Sequence, residues 1–103
     1  MATAEIRAGI CGFTTTVEVR MVGTTCELSI ASDCSAIQRL AAALKEVDPL
    51  REITFRGDGP QVLRAAAATC RHPACPVPVG IIKAVEVEAG LALPADVSIT
   101  LCK

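Results

Sequence analysis

Between Phe13 and Val22 the side chains alternate, with Phe13, Thr15, Val17, Val19 and Met21 on one side and Glu18 and Arg20 on the other. A period of two marks a strand with one face buried and the other in water. Val22-Gly23-Thr24 supplies a turn, and Cys26, Leu28 and Ile30 then alternate with Glu27 and Ser29, so the chain returns as the second strand of a hairpin. Upstream, Ala4, Ile6 and Ala8 alternate with Glu5 and Arg7, which suggests a first strand ended by Gly9. A hairpin with one added strand is not stable until its apolar face is covered.

The cover comes next. From Ser32-Asp33 the period changes to that of a helix, with Ile37, Leu40, Ala41, Leu44 and Val47 on one face, Ser32 or Asp33 as N-cap and Pro49 as stop. Leu50 to Phe55 reads as a short strand or as the entry to a helix, and Arg56-Gly57-Asp58-Gly59 is turn chemistry. Gln61 to Arg71 is an Ala-rich second helix with Val62, Leu63, Ala66, Ala67 and Cys70 along one stripe. Three prolines keep His72 to Pro78 out of regular structure, and Pro78 suits the first position of a third helix over Val79 to Ala89. That helix forms against the β preference of Ile81, Ile82, Val85 and Val87. After Leu93-Pro94, Val97, Ile99 and Leu101 alternate with Ser98 and Thr100 as a final strand. The expected fold is one α+β domain over residues 1–103: a small antiparallel sheet of about three strands plus a C-terminal strand, packed with about three helices.

Composition excludes several functions. The chain has no Trp or Tyr and two Phe, so the core is aliphatic and there is no aromatic platform for bases. A net charge of -1 gives no field to hold a phosphate backbone, so nucleic acid is not an expected partner. No apolar run is long enough to span a membrane, and Met1 to Gly9 lacks the pattern of a secretory signal, so the cytoplasm is the expected compartment.

Six cysteines in a reducing compartment call for burial, redox chemistry or metal rather than disulfides. Cys26 and Cys70 fall on apolar stripes and read as small core residues, and Cys102 lies on the more exposed side of the final strand. Cys11, in Gly9-Ile10-Cys11-Gly12, Cys34, at the start of the first helix, and Cys75, in the proline loop, have no packing role in the pattern. Three soft ligands suit a zinc ion or an iron–sulfur cluster, with a fourth ligand from Asp33, His72, Cys70 or a partner. His72, the only histidine, is three residues from Cys75. Two other readings stay open. One is thiol redox chemistry with Cys34 attacking and Cys11 or Cys75 resolving. The other is a metal-free interaction module, dimerising through the Ala-rich helix or the last strand. Hydrolysis has no nucleophile-base-orienter set. Glu86 and Glu88 read as a solvated helix face, and Gly57 and Gly59 do not make a phosphate loop.

The order of Cys11-Gly12 before an alternating hairpin, Ser32-Asp33-Cys34-Ser35-Ala36-Ile37 opening a helix, and Cys75 ahead of a helix carrying Ile82-Lys83-Ala84 resembles the iron–sulfur cluster assembly scaffold of the IscU type, also the N-terminal domain of NifU. The resemblance covers roughly Gly9 to Gly90. It implies a three-stranded antiparallel sheet under helices, Cys11, Cys34 and Cys75 holding a nascent cluster or zinc, and a protein partner in metal or cluster handling. A similar cysteine layout occurs in small TSCPD-type domains, and Ala-Gly-Ile-Cys-Gly-Phe with His-Pro-Ala-Cys-Pro-Val-Pro looks like the signature of an uncharacterised domain family. Scaffolds carry an Asp two positions after the first cysteine, where this chain has Phe13, and a His directly before the third, where it has Ala74 with His72 further back. Pro76 and Pro78 follow Cys75, and the final strand has no scaffold counterpart. These departures favour a site that keeps its metal over one that donates a cluster.

Overall fold

The computed structural model describes residues 1–103. Its elements are β1 (Ala2–Arg7), β2 (Thr14–Val22), β3 (Thr25–Ser32), α1 (Ser35–Ala43), β4 (Glu46–Val47), α2 (Pro49–Glu52), α3 (Gln61–Thr69) and α4 (Val77–Glu88). The strands form one antiparallel sheet in the order β1-β2-β3-β4. The fold is therefore the expected α+β, with α1 and α4 on the sheet's apolar face and α2 and α3 packed on those helices. The hairpin register follows the alternation: Val17 pairs Ile30, Val19 pairs Leu28, and Ala4 pairs Val17 from β1. Val22 pairs Thr25 across a two-residue turn whose first position, Gly23, has φ 63. Such a turn needs a positive φ there, which glycine supplies without strain.

α4 lies on β1 and β2, α1 lies on β3, and α3 bridges α1 and α4. Val17, Val19, Ile37, Leu40, Leu44, Val62, Ile81 and Val85 are buried between the layers. Both phenylalanines stay outside this aliphatic core. Gly80 permits the close approach of α4 to β1, since a Cβ there would overlap the Ile6 side chain. No helix is long and apolar enough to cross a membrane.

Three expectations are corrected. The first helix ends at Ala43 instead of continuing to Pro49, because Val47 leaves to pair with Cys26 and the Lys45 carbonyl accepts the Leu28 N–H at 2.8 Å. Helical spacing places Leu44 and Val47 on the core side either way, and the open edge of β3 decides the backbone. The N-cap of α1 is Cys34, without a side-chain cap, and neither Ser32 nor Asp33 holds that position. Ser32 Oγ instead accepts the Cys34 N–H at 3.2 Å and the Thr15 hydroxyl at 2.9 Å, while Asp33 is exposed. Finally, Val97 to Leu101 form no strand. The alternation is there, but no neighbouring strand supplies hydrogen bonds. The ambiguous Leu50 to Phe55 resolves into the short α2, which begins at Pro49 and is capped by Asp48 Oδ1 accepting from Leu50 N–H at 3.0 Å.

Glu88 does more than face solvent. Its Oε2 accepts the Met21 N–H at 2.9 Å and its Oε1 is 3.5 Å from the N-terminal ammonium, tying the end of α4 to β2 and β1. The Met21 N–H above all, then the ammonium, holds its carboxyl below the usual glutamate range. A carboxyl more acidic in the folded state contributes stability above its unfolded value of about 4.3, and that contribution is lost as pH falls through the folded value. Glu88→Gln should therefore flatten the acid limb of stability below about pH 4.3, read by denaturant midpoints from pH 7 to pH 3. An unchanged acid limb would remove Glu88 from that role.

Candidate metal-binding thiol site

The end of the sheet where β1 meets β2 is also where β3 stops, since Arg7 pairs Thr14 and Thr15 pairs Ser32. Two residues beyond Ser32, Cys34 opens α1 in extended geometry, φ -75 and ψ 123. At the far end of α3, Cys70 is the C-cap and donates its N–H to Ala66 O at 2.7 Å. Five residues on, Cys75 N–H closes a turn onto His72 O at 3.2 Å, just before α4. Cys34, Cys70 and Cys75 are each half-buried against the same core.

These three thiols feel one another. The Cys70 thiol is pushed up first by burial and then by the negative charge that Cys75 and Cys34 would carry, while the Thr69 hydroxyl and the Arg39 guanidinium pull it back. Arg39 reaches across from α1 to donate to Thr69 O at 3.4 Å. Thr69 Oγ1 donates to Ala65 O at 2.8 Å and lies 3.9 Å from Cys70 Sγ. A cation beside a cluster of thiols offsets the cost of forming thiolates, so the ingredients for thiolate chemistry come from α1, α3 and the proline loop together.

Of the expected site residues, Cys34 and Cys75 share this environment. Cys11 lies at the same end of the sheet but at the exposed tip of the β1–β2 connection, where Gly12 N–H donates to Gly9 O at 2.9 Å and both glycines have positive φ, 89 and 75. His72 and Asp33 are exposed. As the side chains lie, no three His, Cys, Asp or Glu form a ready-made metal site. The set that the fold draws together is Cys34, Cys70 and Cys75. Cys70 is one of the fourth ligands the sequence offers, although its apolar stripe reads first as core, whereas Arg39, on a polar face, gives no such signal. The signal that finds Cys70 is its position as the last residue before Arg71-His72-Pro73 breaks the helix. Cys26 is fully buried at the opposite end of the sheet, its thiol 3.4 Å from Met21 Sδ and pushed up by burial, so it is core as expected. Cys102 is exposed.

Over residues 2–101 the chain matches a family of unknown function, DUF6951. It is a member of that family. No curated protein and no solved structure matches the chain. The DUF6951 match runs from β1 through nearly the whole C-terminal segment, so the tail beyond α4 belongs to the domain as much as the thiol end does.

Proposed function

We propose that this DUF6951 protein binds a zinc ion or an iron–sulfur cluster through the cysteines at one end of its sheet. Cys11, Cys34 and Cys75 are the ligands that the resemblance to cluster scaffolds implies, and Cys70 supplies a fourth thiolate. The observation that carries this reading is that Cys34, Cys70 and Cys75, from three separate segments, are all half-buried against the core and that Cys75 and Cys34 are near enough to act on the Cys70 thiol. Their chemistry fits the group: thiolates are soft donors, four of them suit tetrahedral zinc or a cluster, and Arg39 offsets part of the negative charge. The Gly9–Gly12 loop would bring Cys11 in from its exposed position, with His72 and Asp33 flanking. Since ligation takes the thiol protons, affinity should rise with pH. A protein partner in metal or cluster handling fits this role. The cytoplasm, where thiols stay reduced, suits it too.

The test is the metal and acid-labile sulfide content of protein purified without oxygen or chelator. The parent should carry near-stoichiometric zinc, or iron with matching sulfide, and the Cys34→Ser/Cys75→Ser variant should carry none. Cys70→Ser and Cys11→Ser should each weaken retention, by about 10-fold or more if the residue is a ligand. A parent that stays metal-free even after reconstitution with zinc, or with iron and sulfide, overturns the proposal. Should Cys34 instead form a reversible disulfide with a neighbour, the thiol-redox reading takes its place.

A further inference from the structure

β1 pairs only with β2, so its outer edge presents unpaired N–H and C=O groups. Beside that edge runs a groove of about 1110 Å³, walled by Gly80, Lys83, Ala84 and Val87 of α4 and by the segment 94–97. Ala2 and Ala4 on β1 are small and only half-buried, which leaves room along the edge for larger side chains. The same molecule carries a segment that could fill such a space. Residues 93–103 make no backbone-to-backbone hydrogen bond, and Val97, Ile99 and Leu101 are 61%, 77% and 89% exposed. Alternating β-branched and leucine side chains on an unpaired backbone are the pattern of a strand that lacks a sheet.

We propose that the tail from Asp96 to Lys103 adds antiparallel to the β1 edge of a second copy of this chain, and that the exchange is reciprocal, closing a two-fold dimer. One register satisfies every position. With Val97 beside the partner's Ile6, Ile99 falls beside the partner's Ala4 and Leu101 beside the partner's Ala2, so the two larger tail side chains meet small ones. Thr100 then faces the partner's Thr3, and Asp96 faces the partner's Arg7, which in the isolated chain is exposed with only Glu5 at 3.1 Å. A slip of two residues one way puts Asp96 against Glu5 and Pro94 into the pairing, and a slip the other way drives Lys103 toward the groove. A chain's own tail cannot make this arrangement: residues 94–97 line their own groove without a backbone-to-backbone hydrogen bond, and Asp96 and Val97 leave it in the exchange. α4 runs antiparallel to β1, with Gly80 at Ile6 and Glu88 at Met1, so its own tail would set out from the Met1 end and run parallel to β1. No parallel register brings Asp96 to Arg7 while seating Val97, Ile99 and Leu101 on the strand.

Sedimentation equilibrium of the full chain under reducing conditions, with and without chelator, should give a dimer. Ile99→Asp, a change at an exposed position, should leave the far-UV spectrum intact and raise the dissociation constant by roughly 100-fold or more, since two copies are lost per dimer. Arg7→Glu and Asp96→Arg should each weaken self-association, and mixing the two variants should restore a dimer, because every exchanged pair is then attractive. A parent that is monomeric at all concentrations overturns the proposal. So does a dimer indifferent to Ile99→Asp, or a concentration-independent monomer whose tail amides are protected from exchange, which would mean docking on its own edge.

Discussion

Replacing Glu52 by Ala should destabilise the fold by about 3 kcal/mol, with no change in the denaturant slope. Glu52 is 2% exposed, and its carboxylate accepts two backbone donors at the start of α3: Gln61 N–H at 2.9 Å and Val62 N–H at 2.8 Å. The first N–H groups of a helix have no partner within it, and the N-cap here, Pro60, has no side chain to offer. A carboxylate from α2 takes over both bonds and faces the positive end of the helix dipole. Alanine leaves two donors without a partner, that of Val62 buried and that of Gln61 partly so. Glu52→Gln keeps one acceptor but turns an amide NH2 toward the second donor, so it should cost nearly as much, about 2 kcal/mol. A loss under about 1 kcal/mol for the alanine variant would show that water replaces the carboxylate. The consequence reaches the thiol site, because α3 is held by Glu52 at one end and presents Cys70 at the other. On the proposed metal-binding function, the variant should also retain metal less well than the parent.

Periodicity and punctuation carried the reading as far as local forces decide. The β2–β3 hairpin is legible because alternation, a glycine with positive φ and burial all agree from Thr15 to Ile30. α4 is legible despite its β-branched residues, since Pro76 and Pro78 admit a helix and its apolar side finds β1 and β2. What the pattern cannot show is competition for backbone hydrogen bonds. Leu44 and Val47 have helical spacing, but β3 offers an open edge, and the edge prevails. Val97 to Leu101 have strand spacing, but no edge pairs with them in the chain as it stands. Glu52 reads as one more surface charge, because a carboxylate capping a helix nine residues away leaves no periodic trace. At the thiol end, the loop positions of Cys34 and Cys75 are visible in sequence. Cys70 is visible only as one of several fourth-ligand candidates, since its stripe reads first as core.

These burial differences give the cysteines a graded chemistry. In metal-free protein at pH 8, alkylation should begin at Cys11 and Cys102, which are exposed, continue at Cys34, Cys70 and Cys75, which are half-buried, and reach Cys26 last. Cys26 has no accessible surface, so its reaction must wait for an opening of the fold. An opening that costs several kcal/mol slows it by a factor of about 1000 or more relative to Cys102. Burial, with Glu88 and Asp48 adding, also pushes its thiol up, which lowers the thiolate fraction and deepens the protection. For Cys70 the same direction applies: its alkylation profile should lie above the ordinary thiol range, and removing the neighbouring thiols by Cys34→Ser/Cys75→Ser should move it part of the way back. Zinc reverses the logic, because a bound dication holds thiolates but shields them from the reagent. Mass spectrometry of peptides after a short alkylation pulse should then show Cys34, Cys70 and Cys75 protected, Cys102 as fast as before, and Cys11 slowed only if the glycine loop closes over the ion. Equal labelling of Cys34, Cys70 and Cys75 with and without zinc would show that the three thiols share a stretch of core and nothing more.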